Sequence, residues 1–385
     1  MITQIPVILA SAMALIIVTF TRFLWRRYAE FRSLHRPMMD PERQGFPSVS
    51  VLVPARNEEL NLRSCLTALL SQAYPNYEVI IVDDQSTDGT PQIIREFARD
   101  PRVRAVAAPP LPPGWIGKTH ALWTGSRHAS GDWLFFVDAD TFAGREMLAA
   151  AVAHAESKQL DTISLLPQQD LGSLSEKIIQ PIVFAMLQIF LPPARANNAG
   201  DDMGHVAGQC LGIRRPVYEA IEGHKHDAVR SRTSEDAALG QVVKSAGYRL
   251  EIVDGRHLVH TRMYTGFGEI WNGWAKNFVS GLGGRWWLAP FALVSSLAVI
   301  MYFGLSLRGA DKSFGLAAAL NLATLVYLLA FLGLIRWKIG RVIGQPGWYA
   351  FTYPVGLVVV GGIAFTSLLR SGLGIGSNWK GRRYA

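Results

Sequence analysis

Cysteine is scarce, with Cys65 and Cys210 the two in 385 residues. They fall in no metal-ligand spacing and make no disulfide framework. That excludes a zinc module and a stapled secreted scaffold, and it suits a domain in a reducing cytoplasm. Two phosphate-binding signatures are also missing. The GKT at 117–119 looks like the end of a P-loop, but that motif needs a glycine five positions before Gly117, where Pro112 stands. No G-x-G-x-x-G follows the first expected strand, so a dinucleotide fold is disfavoured. The chain contains no repeats and no low-complexity tracts.

What is abundant is apolar surface and positive charge: 49% of residues are hydrophobic, mean hydropathy is positive, and the formal net charge is +8. Position decides what the charge is for. Arg22, Arg26, Arg27, Arg32 and Arg36 follow the first apolar run, and Arg336, Lys338 and Arg341 lie between two later ones. This is juxtamembrane charge, which points to lipid headgroups and away from nucleic acid.

The apolar run Ile5 to Thr21 extends through Trp25, about 20 residues at ~1.5 Å each, enough for the ~30 Å hydrocarbon core. No Lys or Arg precedes it and a cluster follows, so an uncleaved anchor is expected over 1–28, with the bulk of the chain on the cytoplasmic side. Residues 29–47 read as a polar, Pro-containing linker. From Val49 short apolar strands alternate with helical stretches: strands at Val49 to Val53, Glu78 to Val82, Val103 to Ala107, Trp133 to Val137, Ala207 to Ile213 and Arg249 to Val253. Such alternation predicts an α/β domain, over 48–263, with a mostly parallel sheet. Ile178 to Leu191 is apolar but too short to span, and a helix in the membrane interface is expected, with a buried core helix as the alternative. Trp271, Trp274 and Phe278 recur on one helical face, which predicts an interfacial aromatic belt over 264–285. Trp286 to Leu307, Phe314 to Ile335 and Tyr349 to Leu369 are each long enough to cross, within 286–370. With the anchor they make four spans and put the basic tail 371–385 outside, against the positive-inside rule; one interfacial or re-entrant segment would remove the conflict.

Acidic pairs stand at the ends of these elements. The strand Trp133 to Val137 gives way abruptly to Asp138 and Asp140, two hard oxygen donors that suit Mg²⁺ or Mn²⁺ holding a diphosphate. Asp83-Asp84 follows the Glu78 strand, and Glu235-Asp236 opens a helix, where acids also complement the helix dipole. The first strand ends in VPARNEE, where Pro54 is expected to stop the ladder. Singly, each pair reads as a turn or a cap; together, on strand ends of one sheet, they describe a negatively lined crevice that needs a cation. Lys118, after the Pro-rich loop 109–117, is placed to meet a phosphate.

The ordered segments VSVLVPARNEELNL, VDDQSTDGT, VDAD, GQCLGIRRPVYEAIEGH and SEDAALGQVVKSAGYRL closely resemble the membrane-anchored family 2 glycosyltransferases, over roughly Val49 to Asn277. The C-terminal spans and the WKGRRY ending at 379–384 resemble the subgroup acting on hopanoid, carotenoid and other lipid acceptors. The resemblance implies a GT-A nucleotide-sugar fold and an inverting mechanism. Pro54, Ala55 and Glu58 match the family's first nucleotide loop, and Asp84 its acid near the nucleoside. Asp138 and Asp140 match the metal and diphosphate D-x-D, and Asp236 the general base. Lys118 joins the donor set. Gly208, Gln209, Glu235, Arg262 and Lys276 fall in the acceptor or diphosphate region. The Q-x-x-R-W of processive relatives is replaced by EIWNGWAKNF, which implies transfer of a single sugar and leaves Arg262 and Lys276 as candidate diphosphate cations. The expected partners are a nucleotide-sugar donor and a bilayer lipid. Transfer to a polyprenyl phosphate, a catalytically silent assembly subunit and a transporter are the alternatives; the last is disfavoured because no strongly charged residue marks the centre of the C-terminal segments.

Overall fold

The computed structural model describes residues 5–32, 35–38, 45–281, 315–373, 377–379 and 382–384. The chain divides into two compact units: residues 34–170, 193–263 and 376–385 form one, and residues 1–33, 171–192 and 264–375 the other.

The first unit is built on a seven-stranded sheet. Its first half comes in strand–helix order: β1 (Val49–Ala55), α2 (Leu62–Leu70), β2 (Tyr77–Asp83), α3 (Thr90–Phe97), β3 (Val103–Ala107), α4 (Gly117–Ser126) and β4 (Trp133–Val137), with α1 (Ile5–Arg32) preceding them in the other unit. Then come β5 (Thr141–Ala143), α5 (Met147–Ser157), β6 (Thr162–Leu166) and β7 (Gln168–Gln169). After α6 (Leu174–Phe190), which belongs to the other unit, follow α7 (Pro193–Asn197), β8 (Cys210–Arg214), α8 (Arg215–Ala220), α9 (Asp227–Arg230), α10 (Glu235–Ser245), β9 (Leu250–Asp254) and β10 (Val259–Thr261). The strand order is β3-β2-β1-β4-β8-β6-β9, parallel except that β8 runs against both β4 and β6. The mostly parallel α/β sheet is therefore as expected. Every residue of β4 is buried, because the aromatic and β-branched run WLFFV is covered on both faces, and Trp133 is among the largest fully enclosed side chains.

Several details differ from expectation. Pro54 does not stop β1: it pairs in register with Val82, and the strand continues to Ala55. Pairing of β1 with β4 ends at Leu52, so at Pro54 the strand has one neighbour and a missing donor is tolerated. Strand β6 lies between β8 and β9, although the sequence reading assigned no strand to TISLL. The segment read as a linker is partly pinned: His35 O accepts from Asp254 N at 2.8 Å, and Arg36 pairs with Asp254 at 3.0 Å.

The second unit is helical. Besides α1 and α6 it contains α11 (Phe267–Gly281), Gly315–Val342 and Tyr353–Gly372. Trp274 and Phe278 of the expected aromatic belt are buried here, and Trp274 Nε1 donates to Gln180 Oε1 of α6 at 2.7 Å. Their spacing marks a packing seam, since the same i, i+4 recurrence serves either purpose. Among the described residues, Leu174–Asn197 and Gly347–Gly372 are long and apolar enough to cross a membrane. The expected span Trp286 to Leu307 lies outside the described residues.

Candidate active site

The site forms at the carboxyl ends of the parallel strands, where α/β sheets hold ligands. Burial of β4 drives the chain to its end, and polar residues begin at Asp138. The neighbouring β8 starts at the same edge: Asp138 N donates to Gln209 O at 3.2 Å. Asp140 lies two residues further, its carbonyl accepting from Arg262 N at 3.4 Å and from Thr261 Oγ1 at 3.2 Å.

Lys118, in the first turn of α4, joins the acidic groups. Its Nζ lies 2.7 Å from Asp138 Oδ1 and 2.7 Å from Glu235 Oε1. Burial works against its charge, but Asp138 and Glu235 outweigh it and raise its pKa well above the ordinary lysine value. The preceding loop is held where it must be for this reach: Ile116 N and Thr119 Oγ1 both donate to Arg230 O, at 2.9 and 2.7 Å.

Asp236, beside the buried Glu235, is half-buried and its carboxyl is pushed up to about 6. Burial is the largest cause and the Glu235 charge adds to it; Lys118 and the backbone N–H groups of Ala237 and Gly208 pull the other way. The contact with Gly208 N is 3.1 Å. A Cβ on Gly208 would stand 2.9 Å from Asp236 Cβ and 3.1 Å from Oδ2, so this approach requires glycine. Glu58 is placed by β1 and capped through its N–H by Thr90 Oγ1 at 2.8 Å. The Cys65 thiol, which donates to the Asp138 carbonyl at 3.7 Å, is driven far up, first by burial and then by the charges of Asp140, Glu58 and Asp138. A donor set of carboxylate oxygens with this excess of negative charge suits a hard divalent cation.

Asp84 follows β2, and its N–H donates to Ala55 O at 2.8 Å, so the first loop and the second acidic pair share one corner. Its carboxylate is held by Arg382 of the C-terminal segment. The sequence reading did not assign Arg382 to the site; the sole signal was the WKGRRY ending. His120 was also missed. It is 2% exposed, 5.4 Å from the Trp115 ring, and its pKa is lowered chiefly by burial. Thus Pro54, Ala55, Glu58, Asp84, Lys118, Asp138, Asp140, Gly208, Gln209, Glu235, Asp236 and Arg262 all belong to the sheet unit, whereas Lys276 lies on α11 of the other unit.

Residues 50–222 match the model of glycosyl transferase family 2. The chain is 28% identical over 253 residues to a 4,4'-diaponeurosporenoate glycosyltransferase of Staphylococcus haemolyticus (strain JCSC1435), covering 63% of this chain and 64% of that protein. It is 28% identical over 281 residues to the enzyme of the same name from Staphylococcus aureus (strain MRSA252), covering 70% and 72%. In fold it is similar to the mannosyltransferase PcManGT from Pyrobaculum calidifontis, in complex with GDP-Man and Mn²⁺, with TM-score 0.53 and 17% identity over 97% of this chain and 99% of that one. Residues 50–222, which supply most of the acidic crevice, match a family 2 glycosyltransferase domain, and over most of its length the chain is similar to glycosyltransferases.

Proposed function

We propose that this enzyme is an inverting, non-processive glycosyltransferase that moves one sugar from a nucleotide sugar to a membrane lipid of the carotenoid or hopanoid kind. The observation that carries the reading is the grouping of Lys118, Asp138 and Glu235 with Asp236, a half-buried carboxyl whose pKa is raised to about 6. A carboxylate so placed is a general base that is ionised at neutral pH yet takes up a proton readily. Asp236 removes the proton of the acceptor hydroxyl, and the oxygen forms its bond to the anomeric carbon from the face opposite the donor phosphate. The bond from that carbon to the diphosphate oxygen breaks, and the electron pair leaves with the nucleoside diphosphate. Lys118 is positioned to meet the phosphate charge. Asp138 and Asp140 are the residues that would hold Mg²⁺ or Mn²⁺, which when bound supplies neutralisation of the diphosphate.

Two features support a bilayer acceptor. The helical unit exposes large apolar side chains such as Leu15, Leu322, Val326, Phe351, Val355 and Phe365, more than a soluble surface sustains. The named relatives in Staphylococcus are diaponeurosporenoate glycosyltransferases. Connectivity constrains how the chain meets the membrane. Helix α6 is flanked by β6 and β8, neighbours in one sheet, so a single crossing at α6 would separate paired strands. This supports an interfacial α6, despite its span-like composition. Residues 377–379 and 382–384 group with the sheet unit, which supports an even number of crossings after residue 263. Two of the three expected C-terminal segments are therefore taken as spans and the third as re-entrant or interfacial, and the arginines at the C-terminal end of α1 favour a cytoplasmic sheet unit. The test is transfer of radiolabelled sugar from α-linked donors into a lipid extract. A β-glycoside of a neutral or carboxylic terpenoid supports the reading; a retained anomer or a sugar on a polyprenyl phosphate overturns it.

A further inference from the structure

Near the C-terminus two short segments pair as a hairpin. Strands β11 (Ser377–Trp379) and β12 (Arg382–Tyr384) pair antiparallel, with Trp379 opposite Arg382. From this hairpin Arg382 Nη1 donates to Asp84 Oδ2, and Nη2 donates to Gln85 Oε1 at 2.8 Å. The two charged side chains are 13% and 4% exposed, so the pair is desolvated and held in one geometry. The corner it grips is itself unusual. Gln85 has φ of 59°, in the left-handed region, and Arg56 Nη1 ties down the carbonyls of Asp84 and Gln85 at 2.6 and 3.0 Å.

A purely structural ion pair satisfies its own atoms. Here the carboxylate is gripped through one oxygen, while Asp84 Oδ1 is buried and has no hydrogen-bond partner among the described residues. His120 Nδ1 is in the same condition, and His120 responds to the charges of both Asp84 and Arg382, so the three groups share the corner. Unpartnered buried polar atoms at the carboxyl edge of a ligand-binding sheet mark places where a ligand completes the hydrogen bonding. An unscreened Asp84 would also repel a donor that carries two phosphates.

We propose that the C-terminal hairpin is a strap on the donor pocket and that Arg382 is a donor-positioning residue. It fixes Asp84 and offsets its charge, which leaves Oδ1 to accept from the nucleoside part of the donor. The proposal rests on the nucleotide-sugar reading above. It assigns a role in donor binding to the paired segments 377–379 and 382–384, and it makes Asp84 effective only with the strap in place.

The test uses the full-length, detergent-purified enzyme with Arg382→Ala, Arg382→Lys, Asp84→Asn, the Asp84→Asn/Arg382→Ala pair, and a chain ending at Gly376. Calorimetry with uridine and guanosine diphosphates gives Kd, and turnover gives donor KM and kcat. Loss of a charge-assisted contact predicts that Arg382→Ala and the truncation each weaken nucleotide binding and raise donor KM about 10-fold or more, with kcat little changed. Arg382→Lys recovers part of the loss. In the Asp84→Asn background the further effect of Arg382→Ala shrinks to about 2-fold or less, since residues in one contact are not additive. An unchanged Kd in Arg382→Ala overturns the proposal while leaving the transferase reading intact, and tighter binding on truncation replaces the strap with an inhibitory plug. Wild-type enzyme that binds neither nucleotide refutes the donor reading itself, and this proposal with it.

Discussion

Asp236 owes its basicity to burial beside a second carboxylate, and that makes pH the first check at the scale of single residues. The proposed role requires the base form, and its pKa is raised, so activity is expected to be lost as pH falls. The value of kcat/KM is expected to be level above neutrality and to decline below about 6, where an enzyme using an ordinary exposed aspartate would stay active two units lower. A profile flat down to pH 5 would remove Asp236 from the role. Gly208→Ala is expected to cost about 10²-fold in kcat with little change in nucleotide affinity, because a Cβ 2.9 Å from Asp236 Cβ must displace the base. The acids were legible because each ends an apolar run, and a hydrophobic strand that stops on a carboxylate states where the sheet edge lies. Lys118 was legible as a candidate phosphate ligand, but its bridge from Asp138 to Glu235 was not, since nothing local links residue 118 to residue 235. Arg382 was hidden for the same reason.

Among elements, β4 matches its expected ends because a core strand carries its own boundary in a run of buried apolar residues, and the edge strand β3 matches too although Val103 is its one buried residue. Strand β6 was lost because TISLL mixes hydroxyl and aliphatic side chains and is five residues long, too short to show a period. Helix α6 starts at Leu174, four residues before the expected Ile178. The reason is local: Ser173 Oγ accepts from Glu176 N, and Glu176 reaches back to Ser173 N at 2.8 Å, a capping box. Ser173→Ala is expected to lower stability by about 1 kcal/mol, read as an earlier thermal transition with donor KM unchanged. The aromatic seam of α11 shows the opposite failure. Its recurrence was read correctly as one face, and the partner of that face, Gln180 and Phe184 of α6, was invisible.

For the whole molecule, the grouping of residues 377–379 and 382–384 with the sheet unit favours one side of a conflict that charge counting left open. The account predicts that Ser377→Cys is labelled from the same side of sealed vesicles as an exposed cysteine introduced at Glu59. Cys65 and Cys210 are both buried, so they leave such labelling clean. Labelling from opposite faces would restore an odd number of crossings. The central claim is that this acidic crevice transfers sugar from a nucleotide to a lipid. Its most direct test is nucleoside diphosphate release by the purified enzyme across a panel of nucleotide sugars, with Mg²⁺ or Mn²⁺ and lipid extract each added or withheld. The account predicts release with one donor that needs metal and lipid together, and a fall of about 10²- to 10⁴-fold in Asp236→Asn with nucleotide binding retained. No release from any donor, by folded enzyme that still binds a nucleoside diphosphate, would contradict it.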